Sequence, residues 1–257
     1  MFMYQAYKNN NRDSESNIVL QQYEIESKPK ILISANDTPF VWADIDKLLR
    51  LDETDIYKAF SIFRFCDGAT LDLKMKGKRA LLKNLPEMSG NRISLENAKR
   101  LIDVGLLDLT IERKYRTTQE FISLGKEYFL TKSSDLSDNI PRKTRFYLKA
   151  VSAQYRQKAK TPVPVSILKY LHQGTNILCE NPDEPNVLKA GVYQFDLTQD
   201  IPGEFMRYVP VATLDAAHPI IFCNVVDPRL FYAGNSIEAA TIIGRFDEFN
   251  HIYNIGF

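Results

Sequence analysis

The fold of this chain is decided by residues 74–130, KMKGKRALLKNLPEMSGNRISLENAKRLIDVGLLDLTIERKYRTTQEFISLGKEYFL. Apolar side chains at helical spacing predict a first helix over residues 78–85, which Pro86 ends, and a second helix that stops at Gly105. The MSG sequence between them predicts a tight turn. Two β-prone runs, DLTIE and KYRTT, predict an antiparallel hairpin, and the apolar spacing that follows predicts a closing helix. That helix would bury four side chains: Phe121, Leu124, Tyr128 and Phe129.

The second helix of this stretch has an apolar side and a polar side. Ser89 or Asn91 is expected to cap it, because either side chain can accept a hydrogen bond from a free backbone N–H group. Ile93, Ala98 and Leu101 recur at helical spacing and predict the buried side. The residues expected to face outward are Arg92, Ser94, Asn97 and Arg100.

The residues before this stretch predict a further helix and a short strand. Over residues 52–65, Ile56, Ala59 and Phe60 recur at three- and four-residue spacing, and acidic residues crowd the first turn, as a helix dipole favours. Residues 69–73 are expected to form a short strand.

Taken together, residues 54–130 resemble the winged helix-turn-helix superfamily as used by many bacterial regulators. The resemblance rests on the leucine-ended helix, the Gly-Leu-Leu sequence at 105–107, the Tyr-Arg-x-Thr sequence at 115–118 and the internal Gly125. It implies that the second helix enters a major groove of DNA and that the hairpin, as a wing, reaches phosphates or the minor groove. Winged helices also serve as protein-binding modules, so the fold alone does not fix the partner.

The resemblance implies two sets of contacts with DNA. Base edges or nearby phosphates would be met by Arg92, Ser94, Asn97 and Arg100. The sugar-phosphate backbone of the DNA would be contacted mainly by Lys78, Arg79, Lys83, Arg113, Lys114 and Arg116. A basic, helix-prone segment follows, and it would act as an extension of the phosphate-binding surface, as a dimerisation arm or as a connector with a solvated face. Its candidate phosphate contacts are Arg142, Lys143, Arg145 and Lys149.

The charge of the chain is distributed unevenly. The formal net charge is only +1, but residues 74–160 hold 20 Lys or Arg and 9 Asp or Glu, a net of +11. Residues 1–73 carry a net of −4 and residues 161–257 a net of −6. A basic middle segment is what polyanion binding requires, because Lys and Arg neutralise phosphates and release counterions. A solvated basic surface docked against acidic neighbours would give the same distribution.

These patterns predict an α+β fold with two domains. Residues 1–17 are polar and predict a flexible arm, and residues 18–132 predict the winged-helix domain with an N-terminal strand and helix extension. Residues 133–160 predict a linker and a basic connecting helix. Residues 161–257 predict a β-rich, mostly antiparallel domain, because runs of β-branched and aromatic residues alternate with Gly, Pro, Asn and Asp. This second domain would sense a ligand, mediate oligomerisation or contact a partner.

The sequence contains no motif that indicates a reaction, a cofactor or a metal. No phosphate-binding glycine loop, nucleophile elbow or metal-ligand spacing of His and Cys occurs. The three cysteines, Cys66, Cys179 and Cys223, lie far apart and fit buried thiols in a reducing compartment. A divergent metal-dependent nuclease is a remaining alternative, since Glu-x-Lys tripeptides begin at Glu26 and Glu112.

The function predicted from the sequence is DNA binding by a non-enzymatic bacterial or phage regulator, without a cofactor. Double-stranded DNA is the expected partner, a homodimer is the expected assembly, and residues 161–257 would contact any protein partner. The alternative is a winged-helix interaction subunit of a larger nucleic-acid-handling or phage-defence complex. Neither a signal peptide nor a membrane span is expected, because apolar runs are short, so a cytoplasmic location is predicted.

Overall fold

The structure, a computed structural model, describes residues 39–133, 143–156, 163–184, 191, 206 and 223–234 in full, and the backbone alone of residues 2–7, 19–24, 207–212 and 220–222. The strands are β1 Phe2–Tyr7, β2 Val19–Glu24, β3 Phe40–Asp44, β4 Lys74–Met75, β5 Lys78–Arg79, β6 Leu107–Lys114, β7 Thr117–Leu124, β8 Phe129–Leu130, β9 Lys143–Tyr147, β10 Met206–Ala212, β11 Ile220–Val226 and β12 Phe231–Tyr232. The α-helices are α1 Ile45–Leu48, α2 Glu53–Ser61, α3 Leu85–Ser89, α4 Leu95–Asp103 and α5 Leu148–Arg156. Three 3₁₀ turns join them at Phe63–Phe65, Leu82–Asn84 and Val165–Tyr170. Helices and antiparallel sheets coexist, which confirms the predicted α+β class.

A four-stranded antiparallel sheet forms the centre of the molecule, in the order β12-β9-β3-β8. Strand β9 lies between β3 and β12, with Phe146 opposite Val41 on one side and Phe231 on the other. The sheet therefore joins segments from the beginning, the middle and the end of the described chain.

The aromatic core lies between this sheet and helices α2 and α5. The ring of Phe60 from α2 lies 5.3 Å from that of Phe146 and 4.9 Å from that of Tyr155, between centroids. Phe146 in turn lies 4.8 Å from Phe231. The Ser152 hydroxyl of α5 donates to the Ser61 carbonyl oxygen at 2.8 Å, which ties the two helices together.

This single core does not support the predicted two-domain layout. The cluster of buried apolar side chains runs continuously from Val41 to Ala233. Lys143–Tyr147 is a central strand and Leu148–Arg156 packs on α2, so residues 143–156 of the predicted linker and connecting helix are parts of the same core, and residues 134–142 lie outside the described part. Burial of Phe146 and Val151 explains this placement, because each is fully enclosed.

Helix α2 confirms the helix predicted over residues 52–65, apart from its last turn. Asp52 caps it by accepting a hydrogen bond from the Thr54 amide at 2.9 Å. The spacing of Ile56, Ala59 and Phe60 places all three in the core. The 3₁₀ turn Phe63–Phe65 continues the helix.

The helix predicted over residues 78–85 is wrong. Lys76 and Gly77 both have positive φ and form a two-residue turn between β4 and β5, and such turns favour a hairpin. Ala80 then donates to the Leu73 carbonyl at 2.7 Å and accepts from the Ile122 amide at 3.1 Å, so its backbone is part of a sheet. Pro86 lies in the first turn of α3 and begins that helix instead of ending the one before.

Helix α4 is the second helix predicted in this region, with a different cap. Ser94 precedes it and accepts a hydrogen bond from the Asn97 amide at 3.1 Å. Ser89, one of the two expected caps, accepts instead from the Ile93 amide at 2.9 Å and so stabilises the turn between α3 and α4. Asn91, the other expected cap, has a positive φ in that turn.

The predicted hairpin is confirmed, and the predicted closing helix is wrong. Strands β6 and β7 pair over their full length, with Lys114 opposite Thr117. Residues 71–73 lie on the other side of β7, where the Leu124 amide donates to the Leu71 carbonyl at 2.9 Å. Phe121 and Leu124 belong to β7, and Phe129 belongs to β8. The helical spacing reflects a single turn, because the Phe129 amide donates to the Gly125 carbonyl at 3.0 Å.

Two further hairpins form near the ends of the chain. Strands β1 and β2 pair, so the predicted flexible arm is a strand over Phe2–Tyr7; the rest of residues 1–17 lies outside the described residues. Strands β10 and β11 pair antiparallel, as expected for two of the predicted C-terminal strands. The other predicted strands, at 191–197, 239–246 and 251–257, fall on residues that are almost entirely outside the described part.

Candidate nucleic-acid interface

The tip of the β6–β7 hairpin, residues 113–116, carries three exposed cations and an exposed aromatic ring. Arg113 and Lys114 end β6, Arg116 precedes β7, and all three are exposed. None of them forms an ion pair with another described residue. Tyr115, between them, is 98% exposed and has a φ of 57°. The tip therefore presents unneutralised positive charge to the solvent, as the sequence predicted for Arg113, Lys114 and Arg116.

The solvent-facing side of α4 is mixed in charge. Lys99 and Glu96 are exposed, Asn97 is half-buried, and Leu95 is 48% exposed in the first turn. The Ser94 hydroxyl is engaged as the helix cap, although its side chain is at the surface. Of the predicted base contacts on this helix, Asn97 has a side chain with no described hydrogen-bond partner, so its amide is available to an external ligand.

Arg92 does not project outward from α4, and its predicted position is wrong. It lies in the turn before the helix, and its two terminal nitrogens donate to the carbonyl oxygens of Tyr155 and Arg156. These are carbonyls at the C-terminal end of α5, which have no partner within their own helix. Arg92 therefore fastens the turn between α3 and α4 to the end of α5.

Arg100 also has a structural partner. Its Nε donates to Asp55 Oδ2 of α2 at 2.6 Å, and Lys58 donates to the other oxygen of the same carboxylate at 3.2 Å. The Asp55 side chain is 4% exposed and that of Arg100 is 59% exposed. The guanidinium is thus partly available at the surface but is held towards α2.

Replacing Arg100 with alanine is expected to lower the free energy of unfolding by about 1–3 kcal/mol, because the buried Asp55 would lose its closest charged donor. Urea denaturation of the variant measures this change. Lys99→Ala is the matched control, since Lys99 is the exposed neighbour without an ion pair among the described residues, and it is expected to stay within about 0.5 kcal/mol of the parent. Equal stability of the two variants would contradict the importance of this ion pair.

The other residues of this region that were predicted to contact the DNA backbone fall into two groups. One residue is engaged in ion pairs within the protein, and two are exposed. Arg79 forms ion pairs with Asp72, at 3.5 Å, and with Glu112, and its guanidinium lies 4.2 Å from the centroid of the Phe121 ring. It therefore joins β5 to the hairpin and does not face a ligand alone. Lys78 and Lys83 are exposed and make no ion pair within the described ranges.

The candidate contacts near α5 differ more strongly from their prediction. Arg145 is 4% exposed and is enclosed by two rings, with its guanidinium carbon 4.8 Å from the Phe40 centroid and 4.7 Å from the Trp42 centroid. The expected phosphate contact is therefore wrong for Arg145, because the sheet buries it. Lys143 is half-buried in the same strand. Lys149 is exposed on α5, and Arg142 lies outside the described residues.

Two arginines that the sequence did not single out lie near Arg92. Arg156 ends α5, and a β-carbon placed on Gly90 would lie 3.5 Å from its Nη2 atom. Arg64 lies in the 3₁₀ turn after α2, and its guanidinium carbon is 4.6 Å from the centroid of the Phe65 ring. We call Arg64, Arg92 and Arg156 the arginine cluster. Only the tertiary fold brings them together, so no local sequence signal could have found them.

The cysteine thiols are held in their protonated form. All three are free and buried. Burial raises the pKa of Cys179 to about 11 and, with a contribution from Cys179, that of Cys223 to about 12. Burial is also the main cause that raises the pKa of Cys66, and the charges of Asp67 and Asp72 add to it. A thiolate nucleophile at neutral pH is therefore disfavoured at each position.

Other features bear on metals and membranes. In the described part of the chain, no three His, Cys, Asp or Glu side chains converge as a metal site would require. Among the helices that the structure describes, none combines the length and the apolar composition needed to cross a bilayer. Comparison of the chain with protein-family models, curated proteins and solved structures finds no match. The assignment of a function therefore depends on the chemistry of the residues themselves.

Proposed function

We propose that this protein binds double-stranded DNA, without catalysing a reaction, through a winged-helix surface made by helix α4 and the β6–β7 hairpin. The observation that carries the proposal is the hairpin tip, where Arg113, Lys114 and Arg116 are exposed and have no ion-pair partner in the described part of the protein. Three cations held close together repel one another, and a polyanion relieves that repulsion while releasing its own counterions.

The order of helices and strands supports this proposal. Helix α2, the segment 71–73, helices α3 and α4, and the β6–β7 hairpin occur in the order of the corresponding parts of a winged helix, with the β4–β5 hairpin inserted before α3. The backbone pairing of residues 71–73 with β7 adds a third strand beside the hairpin. In this arrangement α4 would lie in the major groove and the hairpin tip would contact the backbone or the minor groove.

Tyr115 supports a binding role for the hairpin tip. An L-residue other than glycine or asparagine is disfavoured at a φ of 57°, and a ring that is 98% exposed contributes no burial that would offset this cost. The two-residue turn requires a positive φ here, as it does at Lys76, but no contact of the described residues requires an exposed aromatic ring. An exposed ring between cations is suited to packing against a sugar or a base while the cations hold phosphates.

Fewer residues would contact base edges than the sequence predicted. Asn97 can form a two-point contact with adenine, and Lys99 can donate to guanine or to a phosphate. The structural contacts of Arg92 and Arg100 reduce what either contributes to base recognition. We therefore assign most of the affinity to phosphate contacts and expect modest sequence preference.

A protein partner is the second candidate, and it is favoured by exposed apolar side chains. Leu95 on α4 is 48% exposed and Ile111 on β6 is 58% exposed. Glu96 and Asp103 lie on the same helix as Leu95 and would repel phosphate. Surfaces that mix apolar and charged groups in this way are common at protein interfaces.

The test is binding of the purified protein to random duplex DNA, single-stranded DNA and RNA at several salt concentrations. We expect preference for the duplex and a steep fall in affinity as salt increases. Absence of duplex binding at low salt would contradict the proposed DNA binding and favour a protein partner. Incubation of the same duplex with Mg²⁺ or Mn²⁺ is expected to leave it intact, and cleavage would instead support the nuclease alternative.

The homodimer, the regulatory function of residues 161–257 and the cytoplasmic location remain predictions from the sequence.

A further inference from the structure

The arginine cluster is a concentration of positive charge at the end of helix α5. Arg92 donates to two carbonyls of the last turn of α5, and this places its guanidinium beside Arg156. Arg156 lies over the turn between α3 and α4, close to Gly90. Arg64 lies in the 3₁₀ turn after α2, and this turn packs against α5, the helix that Arg156 ends. Three separate parts of the chain thus contribute one guanidinium each.

No carboxylate of the described residues neutralises these groups. Within the described ranges, Arg64, Arg92 and Arg156 form no ion pair, whereas Arg79 and Arg100 each pair with a carboxylate. Burial lowers the pKa of Arg156, and the positive charges of Arg64 and Arg92 lower it further. Apart from the two carbonyls that accept hydrogen bonds from Arg92, the described residues supply no negative group that relieves the repulsion within the cluster.

A hydrogen-bond donor without an acceptor also indicates that the cluster can bind an anion. The Nη1 atom of Arg156 is buried and has no hydrogen-bond partner among the residues that the structure describes. A buried donor without an acceptor is costly, and it is uncommon in folded proteins unless a ligand or an ordered water supplies the acceptor. Each terminal nitrogen of Arg92 already donates to a carbonyl, which fixes the direction of its guanidinium, so Arg64 and Arg156 have the larger number of uncommitted donors.

The position of the cluster adds a further source of attraction for an anion. It adjoins the turn that leads into α4, a nine-residue helix whose first N–H groups carry the positive end of the helix dipole. Arginine guanidinium groups match the geometry of phosphate oxygens, and two of them can share one phosphate. The chemistry that would satisfy the cluster is therefore that of a phosphate group.

We propose that the arginine cluster binds a phosphate group, with Arg64 and Arg156 donating to its oxygens and Arg92 holding Arg156 and the turn in place. The phosphate has two potential sources: a phosphodiester of a nucleic-acid backbone lying against the turn before α4, and a free phosphorylated small molecule. The site uses none of the hairpin-tip residues, so loss of the phosphate response and loss of duplex binding through the hairpin tip can be distinguished.

The first test measures thermal stability in sodium phosphate and in sodium chloride at equal ionic strength and pH. At about five times its dissociation constant, phosphate is expected to raise Tm by about 2–4 °C over chloride. The double variant Arg64→Gln, Arg156→Gln is expected to lose this rise. Arg50→Gln is the matched control, because Arg50 is an exposed arginine on the segment after α1, outside the cluster, and it is expected to keep the rise.

The stability of the variants without phosphate separates binding from a structural role. Removal of like charges is expected to leave the Tm of the double variant in chloride unchanged or higher than that of the parent. If the double variant does not fold, the single variant Arg64→Gln carries the test, since Arg64 is exposed and its loss leaves Arg92 and Arg156 in place. Equal Tm in phosphate and chloride for the parent, or an equal phosphate response in parent and variant, would overturn the proposal.

Duplex binding by the same variants then identifies the source of the phosphate. If the cluster holds one backbone phosphodiester, the double variant is expected to reduce the slope of log affinity against log salt by about 0.9. An unchanged slope together with a lost phosphate response would assign the site to a small phosphorylated molecule. A phosphate response in a protein that binds no duplex would remove the proposed DNA-binding function and leave the phosphate site standing.

Discussion

Replacing Gly125 with alanine is expected to lower the free energy of unfolding by about 4 kcal/mol or more, enough to abolish folding of a marginally stable chain. A β-carbon at this position would lie 1.7 Å from the Gly105 carbonyl oxygen and 2.8 Å from its carbonyl carbon. The Gly125 amide also donates to the Leu106 carbonyl at 3.0 Å, so the two backbones cannot separate without loss of that bond. The segment after α4 and the end of β7 are therefore in direct contact through Gly125.

Urea denaturation of soluble Gly125→Ala, or its yield in the insoluble fraction, measures this effect. The matched control is Gly77→Ala, in the turn between β4 and β5. Gly77 has a φ of 76° and no described atom within 4 Å of an added β-carbon, so that variant bears only the strain of a left-handed backbone, at about 1–2 kcal/mol. A Gly125 variant no less stable than the Gly77 variant would show that the close contact is absent in solution.

The triple variant Arg113→Ala, Lys114→Ala, Arg116→Ala is expected to bind duplex DNA about 100-fold more weakly at moderate salt, taking about 1 kcal/mol or more for each charged contact. Loss of three phosphate contacts would also reduce the salt slope by about 2.7. Because all three side chains are exposed at the hairpin tip, stability is expected to change by no more than about 0.5 kcal/mol per substitution. Fluorescence anisotropy of a labelled duplex over a salt series measures both quantities.

A charge-matched control distinguishes the hairpin tip from general attraction between a cation and DNA. Lys47→Ala, Arg50→Ala, Lys169→Ala removes three positive charges from α1, the segment after it and the 3₁₀ turn Val165–Tyr170. We expect this variant to retain most of the affinity and of the salt slope. An equal loss in the two triple variants would mean that the hairpin tip has no special role in binding.

Sequence patterns predicted the parts of the fold that depend on local interactions. Helix α2 has its cap and its apolar spacing within one short segment, and the β6–β7 hairpin has two adjacent β-prone strands, so both could be predicted. The prediction of a helix over residues 78–85 failed because an apolar run fits a helix and a buried strand equally well. The backbone bonds of Ala80 to Leu73 and Ile122 decide between them, and those partners are distant in sequence or lie across a turn.

The residues of the candidate site also divide into those that local sequence predicts and those whose surroundings depend on distant parts of the chain. The cations of the hairpin tip could be predicted because a turn between short strands exposes its own residues. The role of Arg92 could not, because its acceptors on α5 are 63 and 64 residues away. Arg145 was read as a surface cation since no local pattern reveals that Phe40 and Trp42 enclose it. Arg64 and Arg156 were missed for the same reason.

The order of the central sheet has a consequence for synthesis of the protein. Strand β9 needs β3 on one side and β12 on the other, and β12 supplies Phe231 to the rings of Phe60 and Phe146. While the ribosome is still translating the residues before β12, the nascent chain has β3 and β9 available but lacks this last strand. The edge of β9 and the aromatic surface of Phe146 then stay uncovered, and exposed edges and apolar surfaces of this kind are where chaperones bind and where aggregation begins.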